Sequence, residues 1–478
     1  MTVEVRSTKI VCSIGPASTE RHLLRSLIKA GMNVARINFS HGTDQDHRNS
    51  IREVRKVACD LGVVVGVLAD LGGPKVRVLS PATLWQDGES FRVVADSTSG
   101  DVTLSSPDSL AALRVGAELT FADGTVRTRV SERHDDVVVV NVTRGGVIKQ
   151  GAGVNFPDTI LPTSAVTEKD RLDLALSLEE HVDFVALSFV STAQDIRDLR
   201  SLFGLWKPLV IAKIERKAAL THLQEIIAVT DGVMVARGDL GAEERVERIP
   251  LLQKEIIRLS NGLGKPVITA TQVLESMITS PTPTRAEATD IANAILDGTD
   301  ALMLSAESAV GQYPVQATEV MSRISSETEA HAHDAGQVVI DHARPEAKTV
   351  AQSIAVAAES VANHPAVRMI VAVTESGETA RLLAQQRPRV PILAATPSEN
   401  TARSLTLCAG VIPLVIAHSS STEMMIESSL REASRAGYLE LGDLVVVVAG
   451  IPFGVQGSTN LVKVQTVGEG FLRVGDPA

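Results

Sequence analysis

Over roughly the first 330 residues, short runs of Val, Ile, Leu and Ala alternate with segments whose apolar positions recur at helical spacing. That alternation is how βα units with a parallel sheet read. Eight runs predict strands: KIVCSI (9–14), NVARIN (33–38), VVVGVLAD (63–70), VDFVALSF (182–189), LVIAKIE (209–215), GVMVARGD (232–239), PVITATQ (266–272) and ALMLSAE (301–307). Segments such as ERHLLRSLIKAG and TRAEATDIANAILDG predict the helices between them. Eight strands are the count of a closed (β/α)8 TIM barrel, with an open doubly wound sheet as the alternative. Thr284 with Glu287 has capping-box spacing, and Thr167 precedes the acidic first turn of TEKD.

The third run departs from the pattern, because its helix does not follow for about 85 residues. A structureless loop of that length does not fit a compact domain. The pieces SFRVVAD, ELTFADG and DVVVVNV, separated by Gly, Asp and Ser turns, predict instead an all-β cap domain inserted at 71–155. The barrel then comprises 1–70 and 156–338. A polar, His-rich connection, TEAHAHDAGQ (328–337), follows; His331 and His333 read as part of a solvated linker rather than a metal site. Alternation resumes with TVAQSIAVAAESVA, RMIVAVTES, ETARLLAQQ, PILAATP and DLVVVVAG, which predict a C-terminal α/β sandwich domain at 339–478.

A net charge of −11 argues against a general nucleic-acid or anionic-membrane binder, while leaving room for a local basic pocket. The longest apolar runs, such as LVVVVAG (444–450), are strand-sized and short of the roughly 20 residues of a membrane span. No charged-then-apolar leader opens the sequence. Cys12, Cys59 and Cys408 are too far apart for a CxxC site and odd in number, so no disulfide framework is expected. The expected compartment is the cytoplasm.

Catalytic groups of barrels sit at the C-terminal ends of strands. Those positions hold Arg36 and Asn38 with Ser40 and His41, then Asp70, Ser188, Lys213 and Glu215, Arg237 and Asp239, Thr271, and Ser305 with Glu307. Glu215 and Asp239 suit one hard cation, since two carboxylates plus substrate oxygens and water are how Mg²⁺ is commonly held; Mn²⁺ fits the same ligands. The competing reading pairs each acid with Lys213 or Arg237 in a structural salt bridge. Lys213 and Glu215, two apart, share one face of a strand. A base beside a metal-binding acid suits a phosphate-bearing substrate, and Arg36 and Arg77 add potential bidentate contacts.

ARGDLG (236–241) places glycines around Asp239, where backbone N–H groups turned inward form an anion nest fit for a small carboxylate. In LADLGGPKVRVL (68–79), an acid closes a strand and two bases follow a glycine–proline turn, so cation and anion sites adjoin. No G-x-x-x-x-G-K-[ST] occurs and no GxGxxG follows a strand. Phosphoryl transfer or enolate chemistry is the reaction class these residues fit.

TKIVCSIGPAS (8–18), MNVARINFSHG (32–42), KIE (213–215), VARGDLG (235–241) and PVITATQVLESMITSPTPTRAEATDIANAILDGTDALMLSAES (266–308) resemble, in order, the signatures of the pyruvate kinase family. The resemblance covers essentially the whole chain. It implies a barrel, an inserted β cap and a C-terminal regulatory domain, usually in a homotetramer. It also implies phosphoryl transfer from phosphoenolpyruvate to ADP, giving pyruvate and ATP after protonation of the enolate, the last step of glycolysis. Carried over by motif, Glu215 and Asp239 hold the divalent ion, and Lys213 stabilises the transferring phosphoryl group, which Arg36 and Arg77 contact. Arg237, with the Gly238 and Asp239 backbone, shapes the carboxylate site; Ser188 lines the substrate pocket. Thr271 helps deliver the proton through water. Asn38, His41 and Arg77 face the nucleotide, and Asn38, Ser40, Asp70 and the Leu71 carbonyl match the potassium site.

Three departures stand out. Many members carry Glu at the position of Lys75 and Thr at that of Leu71; members with Lys resemble the potassium-independent branch. An ammonium about 4 to 6 Å from the site repels K⁺ by several kcal/mol at an effective ε near 20, so K⁺ is not expected to be required. Ala152 replaces a cap lysine common before GVN, leaving Lys149 or Arg144 as substitutes, and Val310 replaces a Lys of some members; weaker ADP binding is expected. TESGETAR (374–381) matches the effector-phosphate loop through Thr374, Ser376, Gly377 and Thr379, although Glu375 and Glu378 oppose an anion there. AMP, a sugar phosphate or no effector all remain open, and GIPFGVQGSTN (450–460) resembles the terminal loop. Two other functions compete: an Mg²⁺-dependent aldolase acting on pyruvate, which needs neither Lys213 nor the cap, and a catalytically silent metabolite sensor.

Overall fold

The computed structural model describes residues 5–95, 101–122, 124–134, 137–159, 161, 164–334, 346–419, 421–451 and 459–469. Eight parallel strands close into a barrel: β1 (Lys9–Ile14), β2 (Val34–Asn38), β3 (Gly66–Asp70), β4 (Phe184–Leu187), β5 (Leu209–Ile214), β6 (Gly232–Ala236), β7 (Val267–Ala270) and β8 (Ala301–Leu304). Each strand pairs with its neighbours in sequence, and β8 closes on β1 through Lys9↔Ala301 to Cys12↔Leu304. The open-sheet alternative is thereby excluded.

Val11, Val34, Leu68, Phe184, Ala186, Ile211, Met234, Ile268, Ala301 and Met303 fill the barrel interior. Their odd-and-even neighbours, such as Ile10, Cys12, Val67 and Ala69, pack outward against the helices. Because side chains alternate along a strand, the inward positions beyond this core are Ser13, Arg36, Asp70, Ser188 and Lys213. The hydrophobic plug thus hands over to polar groups at the mouth.

Several strands are shorter at that end than the apolar runs suggested. β6 stops at Ala236, and Arg237–Glu243 forms a short helix, so Arg237 and Asp239 are helical residues rather than strand ends. Glu307 likewise lies on a helical turn, Ala306–Ala309. The Thr284 and Thr167 capping boxes both form, with Glu287 and Asp170 as reciprocal partners.

Between β3 and β4 the chain builds a cap with a seven-stranded and a two-stranded sheet over a core containing Trp85, Phe121 and Val140. The two passes between barrel and cap are zipped together, Val76–Arg77 pairing antiparallel with Gly153–Asn155. Thr120 Oγ1 donates to the Ala242 carbonyl at 3.0 Å, docking the cap on the Arg237–Glu243 helix.

The C-terminal domain is a five-stranded sheet ordered Val411–Val415, Ile392–Thr396, Val367–Val373, Leu444–Gly450, Thr459–Thr466, only the last antiparallel. It meets the N-terminal ends of the barrel strands: Arg403 Nε pairs with Asp183 Oδ1 at 2.9 Å, Arg387 with Asp300 at 2.9 Å, and Lys9 Nζ donates to the Val411 carbonyl at 2.7 Å. This domain therefore lies opposite the mouth. The predicted His-rich linker is helical as far as it is described: Pro314–Asp334 is one helix that includes His331 and His333, and 335–337 lie outside the described residues. Among the described residues no helix is long and apolar enough to cross a membrane.

Candidate active site

Lys213 is the centre of the mouth. Its ammonium lies 2.6 Å from Ser188 Oγ, 3.2 Å from Asp70 Oδ1 and 3.3 Å from Glu215 Oε2. Burial alone lowers a lysine pKa, but the Asp70 and Glu215 carboxylates outweigh it and the net shift is upward, so the ammonium stays charged. Asp70 feels the same contest with the opposite sign: desolvation pushes its carboxyl up, Lys213 and Arg36 pull it down, and the pull wins. Arg36 completes this side, its Nε 2.6 Å from Asp70 Oδ2 and its Nη1 donating to Ser13 Oγ at 2.8 Å. The Ser188 hydroxyl donates to the Leu71 carbonyl at 2.7 Å, which ties β4 to the root of the cap.

Glu215 is fully buried, and Oε1 accepts the Phe189 N–H at 2.6 Å. Desolvation raises its pKa, opposed by the Lys213 ammonium and reinforced by the Asp239 and Asp70 carboxylates. Phe189 is a non-glycine residue at φ +58°, so the backbone that delivers this N–H is itself strained.

The chemistry of these donors fits a hard divalent ion. Asp70 Oδ1 and Glu215 Oε2 are buried oxygens that face the Lys213 ammonium at 3.2 and 3.3 Å, and Asp239 lies close enough to raise the pKa of Glu215. Among the described residues no group of three or more His, Cys, Asp or Glu is arranged to hold an ion alone. Two carboxylates completed by substrate and water are what Mg²⁺ accepts. The salt-bridge alternative holds for Glu215 with Lys213; Asp239 pairs not with Arg237 but with Lys75, Nζ to Oδ1 at 2.9 Å.

Arg237 is tied to neighbouring groups at the rim. Its Nη1 meets the Asp290 carboxylate at 2.7 and 2.9 Å and Gln253 Oε1 at 3.3 Å; Nη2 donates to the carbonyls of Thr271 and Gln272 at 2.8 and 3.1 Å. Thr271 and Gln272 have φ of +66° and +54°, a strained turn at the end of β7 held by this guanidinium. The Gly238 N–H donates to Thr271 Oγ1 at 2.8 Å, and neither Gly238 nor Gly241 has positive φ. The glycine nest expected from ARGDLG is thus a helix start facing Thr271.

On the nucleotide side, Asn38 Oδ1 accepts the Ser40 N–H at 3.2 Å. His41 is exposed; partial desolvation, then Arg77, Arg36 and Lys75, lower its pKa, so its ring is neutral at pH 7. Arg77 donates to the Gly151 carbonyl at 3.0 Å. Arg144 is engaged by the Gly124 and Thr125 carbonyls, Ala152 packs against the cap core, and Lys149 and Val310 are exposed. Glu307 holds loops, accepting the N–H groups of Leu274 at 3.1 Å and Ser305 at 2.7 Å.

The effector-type loop lies far along the chain, in the C-terminal domain. Gly377, at φ +84°, caps the helix Glu378–Gln385; Thr374 Oγ1 accepts the Gly377 N–H at 3.0 Å, Ser376 Oγ lies 3.4 Å from the Glu378 N–H, and Thr379 shares a 2.7 Å hydrogen bond with Thr459. Of GIPFGVQGSTN, 452–458 lie outside the described residues.

Sequence reasoning missed Ser13, Phe189, Gln253 and Asp290. Ser13 was accessible from strand alternation, two residues beyond the inward Val11. Asp290, inside a helix with other polar residues, gave no such signal.

Comparison with known proteins agrees with this geometry. The family model "Pyruvate kinase, barrel domain" matches residues 5–318, and "Pyruvate kinase, alpha/beta domain" matches 352–465. The chain is 44% identical to a pyruvate kinase of Agrobacterium vitis over 97% of its own length and 99% of that protein's. It is 42% identical to one of Methylorubrum extorquens (97% and 98%), and 40% identical to one of Geobacillus stearothermophilus (97% and 81%). With a closed barrel, a lysine between acids at its mouth and both family domains in order, the chain belongs to the pyruvate kinase family and is a phosphotransferase.

Proposed function

We propose that this enzyme transfers the phosphoryl group of phosphoenolpyruvate to ADP, yielding ATP and, after protonation of the enolate, pyruvate. The observation that carries the reading is the Lys213 ammonium, buried and held charged between Asp70 and Glu215. A fixed cation in a site of low dielectric stabilises negative charge developing on phosphoryl oxygens without reorganising in the reaction. Glu215 and Asp239 would hold Mg²⁺ or Mn²⁺, which when bound neutralises and orients substrate oxygens.

The other roles follow from position. Arg36, fixed by Asp70 and Ser13, presents its remaining guanidinium edge to the phosphoryl group. Ser188 keeps Lys213 pointed inward, and the Asp239 N–H at the start of the Arg237–Glu243 helix would meet the substrate carboxylate beside the Gly238 N–H that holds Thr271. Thr271, in its strained turn, orders the water that protonates the enolate, with Arg237 acting through Thr271. Neutral His41, Asn38 and Arg77 receive the ADP phosphates, with affinity weakened by Ala152 because Arg144 is already engaged.

Lys75 takes over the charge that other members recruit as K⁺ at Asn38, Ser40, Asp70 and the Leu71 carbonyl. Its charge already bears on His41, which supports a place on the nucleotide wall. A cytoplasmic homotetramer, regulated by a phosphorylated effector such as AMP or a sugar phosphate at Thr374, Ser376, Gly377 and Thr379, completes the proposal.

The test is the initial rate of ATP formation in tetramethylammonium buffer with Mg²⁺, with and without KCl. Comparable rates are expected; only trace turnover restored by KCl would overturn the assignment of Lys75.

A further inference from the structure

Lys75 directly follows the Gly72–Gly73–Pro74 turn through which the chain leaves the barrel for the cap, and the group it touches is a carboxylate expected to bind the divalent ion. The Lys75–Asp239 pair spans 2.9 Å with about three quarters of each side chain withdrawn from solvent (25% and 23% exposed). Among the described residues Asp239 has no other ion-pair partner. The other acids of the mouth are tied within the barrel: Glu215 to Lys213 and the Phe189 N–H, Asp70 to Lys213 and Arg36. Asp239 alone of the three is held by a cation from the cap.

We infer that Lys75 competes with the divalent cation for Asp239: without the cation its ammonium occupies the carboxylate, and cation binding displaces it. The inference rests on the reading that Glu215 and Asp239 are the ligands. An ammonium 2.9 Å from Asp239 Oδ1 takes up one carboxylate oxygen and repels a divalent ion brought to the other, so cation binding is weakened while Lys75 stays in place. Lysine suits the exchange, with a flexible four-carbon stem and a point charge that needs no fixed fork geometry. Release of Lys75 leaves the cap docked, because the hydrogen bond from Thr120 to the Ala242 carbonyl is independent of it.

The displaced ammonium then needs another anion, and the phosphate of a bound substrate is one. Cation and substrate therefore favour each other's binding through Lys75, a coupling that is reciprocal by linkage.

The experiment measures Mn²⁺ binding to the substrate-free protein through the electron paramagnetic resonance of free Mn²⁺. Wild type, Lys75→Met, Lys75→Gln and Glu215→Gln are compared. Both Lys75 variants should bind Mn²⁺ more tightly, by about fivefold, the scale of a lost partly exposed ion pair. Glu215→Gln should bind it more weakly. Unchanged or weaker affinity in both Lys75 variants, with Glu215→Gln weakened, would overturn the competition and leave the ligand assignment standing. Wild-type affinity in Glu215→Gln would overturn the ligand assignment, and the competition with it.

Discussion

At the scale of single residues, the arginine expected to meet the substrate carboxylate is committed elsewhere. Arg237 bonds Asp290, Gln253 and the carbonyls of Thr271 and Gln272, so it shapes the turn that presents Thr271. A positioning group of this kind acts on turnover, because a misplacement of about 1 Å at the reacting groups can cost about a hundredfold in rate. Arg237→Lys is expected to lower kcat roughly ten- to a hundredfold with little change in KM for phosphoenolpyruvate, and Asp290→Asn to move kcat the same way but less. A large rise in KM with kcat intact would place Arg237 on the substrate instead. Steady-state kinetics of the two variants and their double mutant decide it; because the residues share one ion pair, the two losses should not add. Residue identity at the mouth was legible in the chain, since Lys213, Glu215, Asp70 and Ser188 all follow from strand ends. The direction in which Arg237 points was not, because Asp290 approaches it from a helix fifty-three positions later.

At the scale of elements, the turn after β3 explains why a glycine stands at position 73. Gly73 has φ +66°, and a Cβ on it would lie 2.7 Å from the Phe189 ring and 2.9 Å from Ser188 Cβ. Gly72 has no such φ, and its nearest neighbour would be Ser40 Oγ at 3.4 Å. Gly73→Ala should therefore destabilise the protein by roughly 1 to 3 kcal/mol, more than Gly72→Ala. Activity should fall with it, because Ser188 and Phe189 orient Lys213 and Glu215. Urea unfolding of the two variants is the measurement, and equal losses would contradict the steric account.

Apolar periodicity located all eight barrel strands but overran the C-terminal ends of the last five, most clearly where ARGD continues the run while the backbone turns into a helix. In the C-terminal domain Val411–Val415 escaped notice because Pro413 interrupts it; it is an edge strand, where proline is tolerated. In the cap, Val126–His134 was hidden by its many arginines and polar residues, which break the apolar pattern.

At the scale of the whole molecule, the C-terminal domain joins the barrel through polar contacts and through Leu407, which packs into the barrel's inner core, and the join contains a buried lysine, Lys9. Desolvation, then the nearby Arg6, lower the pKa of Lys9 from 10.5 to about 8. Between those values the unfolded chain binds more protons than the folded one, so stability rises with pH across that window and the cost of the buried charge is greatest below pH 8. Relative to Lys9→Met, the wild type should gain stability between about pH 8 and 10 in denaturant titrations; a flat or falling difference would refute the burial of this charge.

The three-part organisation was legible from the missing helix after β3 and from the resumed alternation late in the chain. How the parts meet was not, since Lys9, Asp183 and Asp300 gain their partners Val411, Arg403 and Arg387 only in the fold.

In the proposed reaction, a lysine held between acids at the barrel mouth drives phosphoryl transfer from phosphoenolpyruvate. This is tested most directly by the rate of ATP formation from phosphoenolpyruvate and ADP with Mg²⁺, for wild type and Lys213→Met. Steady turnover by the wild type and a kcat lower by roughly 10² to 10³-fold in the variant are expected; no ATP from the wild type, or equal rates from both, would contradict this role of Lys213.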